Sequence, residues 1–128
     1  MALATSQSLS KDTPTDVDTN LTVFVQRFAD NGKSVFSVAG LTLPEEKLLT
    51  VSHDVDSKGN QRKLIRIDRT AIDALLVPAT CSVYMNIVRP PSTAITNALI
   101  IEMVNQLIDF LIEGGSNANV TAVLNGEN

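Results

Sequence analysis

The chain is poor in the residues that do chemistry. Among its 128 residues are one cysteine, one histidine, one tyrosine and no tryptophan. A single cysteine, Cys81, excludes an intrachain disulfide and a cysteine-based metal site. A single histidine, His53, excludes a two-histidine metal site. No phosphate loop, nucleophile elbow or metal-ligand cluster occurs. The N-terminus lacks a basic, greasy segment, so no secretory signal is expected. The most apolar stretch, near the C-terminus, is interrupted by Glu102, Asn105 and Asp109. It falls short of the roughly 20 apolar residues that span a bilayer. A charge at mid-bilayer would cost about 2.5–3.5 kcal/mol or more. These absences argue against an enzyme, a metal protein and a membrane span, and no cofactor is expected.

What is present reads as one globular domain over residues 1–128, with 44% hydrophobic and 19% charged residues. The net charge of −4 argues against nucleic-acid binding by total charge. Its distribution matters more. Five of the ten basic residues fall between Lys58 and Arg69: Lys58, Arg62, Lys63, Arg66 and Arg69.

The order of elements is strands first, helix last. Ala4–Leu9 fits an edge strand, and Lys11–Asp16 a turn that Pro14 keeps out of any ladder. Leu21–Phe28 and Ser34–Val38 fit strands around an Asp30-Asn31-Gly32 turn. Residues 1–30 thus form an N-terminal hairpin region and 31–89 the main sheet. Lys47–Val55 alternates, placing Leu49, Val51 and His53 on one face and Thr50, Ser52 and Asp54 on the other. After a turn at Asp56–Asn60, Lys63–Asp68 puts Ile65 and Ile67 inward and Leu64, Arg66 and Asp68 outward. Thr70–Thr80 reads as a loop. Cys81–Val88 returns with Val83, Met85 and Ile87 inward and Ser82, Tyr84, Asn86 and Val88 outward. Pro90-Pro91 stops the sheet, and Ser92 offers an N-cap.

The helix expected from about Ser92 to Glu113 is apolar nearly all the way round, with a thin polar stripe of Glu102, Asn105, Gln106, Asp109 and Glu113. A helix lying on one sheet needs an apolar stripe of only about 100°. The surplus, carried by Ile95, Leu99, Met103, Leu107 and Phe110, is expected to be a dimer interface covered by a second chain. Gly114-Gly115 ends the helix. Asn119–Leu124 reads as a short second helix or an extended tail, within a C-terminal helical region over 92–124. The class is α+β: an antiparallel sheet of about five or six strands, then one long helix.

Three stretches, in this order and spacing, resemble the coat proteins of the small single-stranded RNA bacteriophages. They are VFSVAGLTLPEEKLLTV (Val35–Val51), NQRKLIRID (Asn60–Asp68) and VPATCSVYMNIVRPPST (Val77–Thr93), the last with its Tyr-x-Asn strand. The resemblance implies an interlocked homodimer whose C-terminal helices lie across the partner's sheet. It further implies a T=3 icosahedral shell around genomic RNA, formed in the cytoplasm of a bacterial host. One sheet face would line the virion and bind an RNA stem-loop, repressing translation and marking the genome for packaging. On this reading Thr50 and Ser52 line adenine pockets. Arg66 meets a base or phosphate, with Arg62 and Lys63 beside it. Tyr84 stacks on an unpaired base, and Asn86 contacts a ribose or neighbouring base. Stacking plus edge hydrogen bonding is how unpaired RNA bases are read. In that family a proline in the 70–80 loop, here Pro78, can be cis in one conformer.

His53 is expected in or near the core. His53 and Asp54 are adjacent in a strand, so they point apart and cannot act as a base and its orienter. Cys81 is expected to be a passive small residue, an intersubunit disulfide being the lesser alternative. The rival function is a non-viral dimeric α+β module that binds a small ligand or peptide on its polar sheet face.

Overall fold

The computed structural model describes residues 3–11, 20–113 and 117–127. It contains one antiparallel sheet in the order β1-β2-β3-β4-β5-β6. The strands are β1 Ser6–Ser10, β2 Leu21–Asp30, β3 Lys33–Ser37, β4 Glu46–Val55, β5 Gln61–Ile72 and β6 Pro78–Arg89. Two helices follow, α1 Asn97–Ile112 and α2 Ala118–Leu124. The sheet is a meander in which every strand pairs with its sequence neighbours. Of the turn expected at Lys11–Asp16 only Lys11 is described, and its N–H donates to Asn20 O at 2.8 Å. The rest of that turn, and Gly114-Gly115, lie outside the described residues.

The β2–β3 turn shows why a glycine stands at position 32. Its φ is +74°, and a Cβ there would sit 2.8 Å from His53 O. Conformation and close approach thus both exclude a side chain. Gly32 O also accepts from His53 N at 2.6 Å, tying this turn to β4.

Three expectations are corrected. The segment Thr70–Thr80 is mostly strand, not loop. β5 runs on to Ile72 and β6 starts at Pro78, with Thr70 opposite Thr80 and Ile72 opposite Pro78. Only 73–77 turn. Asp73 organises them by accepting from Leu75 N at 2.8 Å and Val77 N at 3.0 Å. Pro78 fits because β6 is an edge strand and its missing donor breaks no pairing on the open side. The cis proline bond of the described residues precedes Pro44, not Pro78.

The helix starts at Asn97 with Thr96 as N-cap, its hydroxyl accepting from Leu99 N at 3.3 Å. Ser92 instead accepts from Ala94 N at 3.2 Å in a preceding turn. Arg89 clamps that turn, donating to Ile95 O at 2.8 Å and Asn97 Oδ1 at 2.6 Å, and so delays the helix. The third correction is His53, which is exposed in the single chain. Asn119–Leu124 resolves to helix, within α2. Asn119 Nδ2 docks α2 on α1 by donating to Phe110 O at 2.7 Å.

The core is small and sits toward the N-terminal end of one sheet face. Phe24, Phe36 and Leu49 are buried, with Leu9, Val38 and Ile67 packed on them. Farther along the same face Ile65 and Val83 stand open. No residue of α1 is buried. The helix packs on α2 and makes no comparable contact with any strand. The expectation of surplus apolar surface was therefore an understatement, because α1 hardly lies on its own sheet at all.

Candidate nucleic-acid interface

Residues directly opposite in an antiparallel sheet share a face. The register therefore tests which side chains come together. Thr50 lies opposite Arg66, and Arg66 opposite Tyr84, forming one row across β4, β5 and β6. Ser52, Leu64 and Asn86 form the adjacent row, which Lys33 of β3 extends. Arg62 stands one row farther, between Asp54 and Val88. Six of the seven residues expected at the RNA site thus share one face.

Lys63 does not. It lies opposite His53 and Ile87, on the face that carries the core. Arg62 and Lys63 are adjacent in a strand, so one of them had to point away. Lys33 in effect replaces it as a cation on the polar face. Its place was hidden in the sequence because the short strand β3 has no clear alternation.

The face is open. Tyr84 is 66% exposed, so its ring is free to stack. Thr50 and Ser52 are half-buried between flanking strands, while Asn86 and Arg62 are exposed. Arg62 leans toward the β4–β5 turn, 3.7 Å from Asp56 Oδ2. At that distance and exposure the pair stabilises little. Asp56 mainly holds its own turn, accepting from Lys58 N and Asn60 N at 2.9 Å each and from Asn60 Nδ2 at 3.0 Å. The Asn60 side-chain hydrogen bond is the chief cause that keeps its carboxyl below the ordinary range. Arg66 Nε donates to both oxygens of Asp68, at 2.7 and 2.8 Å. Sequence reasoning left this pair unused, although residues two apart in a strand always share a face.

The surface expected to meet a second chain is also open. Leu99, Met103, Leu107 and Phe110 are exposed along α1, and Ile95 is half-buried. With Met85 and Ile87 of β6 they line a groove of ≈ 600 Å³. Cys81 is exposed on the same edge strand. Among the described residues no group of three or more His, Cys, Asp or Glu could hold a metal ion. No described helix is long and apolar enough to cross a membrane.

No protein-family model and no curated protein matches the sequence. Solved structures do match. The chain superposes on the coat protein of bacteriophage EMS014 with a TM-score of 0.76 and 12% identity over 98% of each chain. It superposes on the bacteriophage GA capsid protein with a TM-score of 0.62 and 12% identity, over 96% of this chain and 95% of that one. A bacteriophage coat protein solved as an unassembled, RNA-binding dimer gives a TM-score of 0.56 and 14% identity, over 96% and 94%. The fold is that of bacteriophage coat proteins.

Proposed function

We propose that the chain is a phage capsid protein that pairs as an interlocked homodimer, closes into an icosahedral shell and holds single-stranded RNA on its polar sheet face. The observation that carries this reading is a nearly all-apolar helix, attached to a coat-protein fold, that its own chain leaves uncovered. Monomers rarely expose contiguous apolar patches beyond a few hundred Å². A second copy offers a matching surface, because each chain carries both the open strand β6 and the open helix α1. The same symmetry makes the contact isologous and closed. Lys33, Arg62 and Arg66 on the polar face supply attraction for phosphates, and Tyr84 supplies a stacking platform. On this reading the protein resides in the virion and acts as a structural component with no catalytic step.

The test is expression in bacteria followed by size-exclusion chromatography and negative-stain microscopy. Uniform spherical particles eluting near the void volume, with absorbance at 260 nm above that at 280 nm, are expected. A folded dimer that stops at two chains and carries no RNA would favour the ligand-binding module. For the RNA face, Tyr84→Ala should weaken binding of a hairpin selected on the wild-type protein by about 1–3 kcal/mol, and Tyr84→Phe by much less. Both variants should still form particles. Unchanged hairpin binding by Tyr84→Ala would make this face an inner wall and not a reader of RNA.

A further inference from the structure

The Arg66–Asp68 pair is built in a particular way. The two residues sit two apart on β5, so both face the polar side. Both carboxylate oxygens accept from one atom, Nε of Arg66. Ser82, directly opposite Asp68 on β6, donates its hydroxyl to Asp68 Oδ1. Asp68 is thereby fixed from the neighbouring strand, and its side chain is only 13% exposed against 45% for Arg66. Burial works against the charged carboxylate, but the hydrogen bonds from Arg66 and Ser82 outweigh it and hold the group below its ordinary range. The carboxylate is charged at neutral pH.

An arginine that only neutralised a carboxylate would be expected to use its paired fork, two N–H groups on two oxygens. Here the hydrogen bonds fall on Nε alone, and among the described residues none engages Nη1 or Nη2. The four N–H donors of Nη1 and Nη2, two of them on the end-on edge of the guanidinium, are left over. Arg66 itself stands in the row between Thr50 and Tyr84.

We propose that Asp68 is a positioning residue for RNA recognition: by gripping Nε it turns the Nη1–Nη2 edge of Arg66 toward a coplanar pair of acceptors on a base stacked near Tyr84 or on the adjoining backbone. The inference rests on the reading that this face binds RNA. Two groups offer such a pair, the O6/N7 edge of guanine and two non-bridging oxygens of a phosphate. The tether costs long-range attraction, since the pair is neutral overall. It gains a fixed direction, which a free arginine on an open sheet lacks.

The rival idea is that Asp68 merely masks Arg66. The two ideas differ in what happens to the ratio of selected to unselected binding. Without Asp68 a masked arginine is released, and all RNAs bind more tightly by a common factor. Without Asp68 a positioned arginine loses its direction. Unselected RNA then binds more tightly, through the lost negative charge, while the advantage of a selected RNA shrinks.

The experiment uses the assembled-competent dimer and two probes: a hairpin enriched on the wild-type protein from a randomised-loop pool, and the unselected pool. The readout is the ratio of the two affinities at fixed salt. Asp68→Ala should lower that ratio about tenfold, the order expected when one bidentate contact loses its geometry. Asp68→Asn, whose amide oxygen can still accept from Nε, should restore part of it. Arg66→Lys keeps the charge but has no fork, and should lower the ratio as far as Asp68→Ala does. These two conservative variants carry the test if Asp68→Ala fails to fold. Replacing each loop guanosine by 7-deazaguanosine, or each loop phosphate by methylphosphonate, then identifies the acceptor. The substitution that matters should lose its effect in Arg66→Lys. A ratio unchanged by both Asp68→Asn and Arg66→Lys, with wild-type enrichment intact, overturns the positioning role and leaves the RNA-binding reading standing. Failure of the wild-type protein to enrich any hairpin overturns both.

Discussion

One sheet face contains two regions that obey the same pattern and end differently. Toward its N-terminal end Phe24, Phe36 and Leu49 are buried by their own chain. Toward its C-terminal end Ile65, Val83 and the whole apolar length of α1 are not. The apolar strand residues of both stand on the same side of the sheet. What differs is closure. The first region meets Leu9, Val38 and Ile67 within one chain, whereas in the second β6 and α1 line a groove that their own chain leaves unfilled. Alternation of apolar residues says which side of a strand is to be covered. It does not say by which molecule.

That contrast can be broken from either end. Phe36→Ala removes a fully buried ring from the finished region and should cost about 3–5 kcal/mol. A lowered melting temperature is the expected readout, with the surviving folded protein still pairing normally. Leu107→Asp attacks the unfinished region, at roughly 2–5 kcal/mol from lost burial and an uncompensated charge. If folding and pairing are linked as proposed, soluble folded monomer should not accumulate. A stable, folded Leu107→Asp monomer, seen by light scattering and circular dichroism, would count decisively against the subunit interface.

Gly32→Ala tests the β2–β3 turn where it meets β4 at His53. The left-handed backbone alone costs an L-residue about 1–2 kcal/mol. The clash with His53 O adds to it, so a drop in melting temperature of several degrees is expected, with pairing kept. A variant as stable as wild type would show that the turn and β4 can separate freely.

The smallest effect is on acid stability. Asp56 and Asp68 both titrate below the ordinary carboxylate value of 3.8 in the folded protein. Stability from these groups is present above that value and is lost as pH falls through the depressed folded values. Melting temperature should therefore decline on acidification below about 3.8, and Asp56→Asn should make that decline shallower without changing particle formation.

How much of this could be read in advance depends on the element. β4, β5 and β6 alternate cleanly. A one-residue slip would bury Thr50, Arg66 and Tyr84, so their shared face was legible. The same parity rule, applied to Arg62 and Lys63, would have removed Lys63 from the site. It also places Asp68 beside Arg66, but no periodicity reveals that the carboxylate grips Nε. The extent of the β5–β6 hairpin was misread because Pro78 is punctuation in an interior strand and harmless in an edge strand. Ser92 is in isolation at least as good a cap as Thr96. The choice was made by Arg89, a tertiary contact that no local pattern encodes. His53 alternates onto the core face as expected, yet lies beyond the part that a single chain covers.

The uncovered helix also sets a rate law. A helix lying on its own sheet is completed by a first-order step, at a pace indifferent to how much protein is present. If, as proposed, α1 finds its surface on another chain, the closing step is second order and its half-time doubles when concentration is halved. Typical encounter rates of about 10⁵–10⁷ M⁻¹s⁻¹ put that step near seconds or faster at micromolar levels and at minutes to hours at nanomolar ones. The chain would thus measure its own abundance before it finishes folding, and scarcity alone would hold it back from assembly.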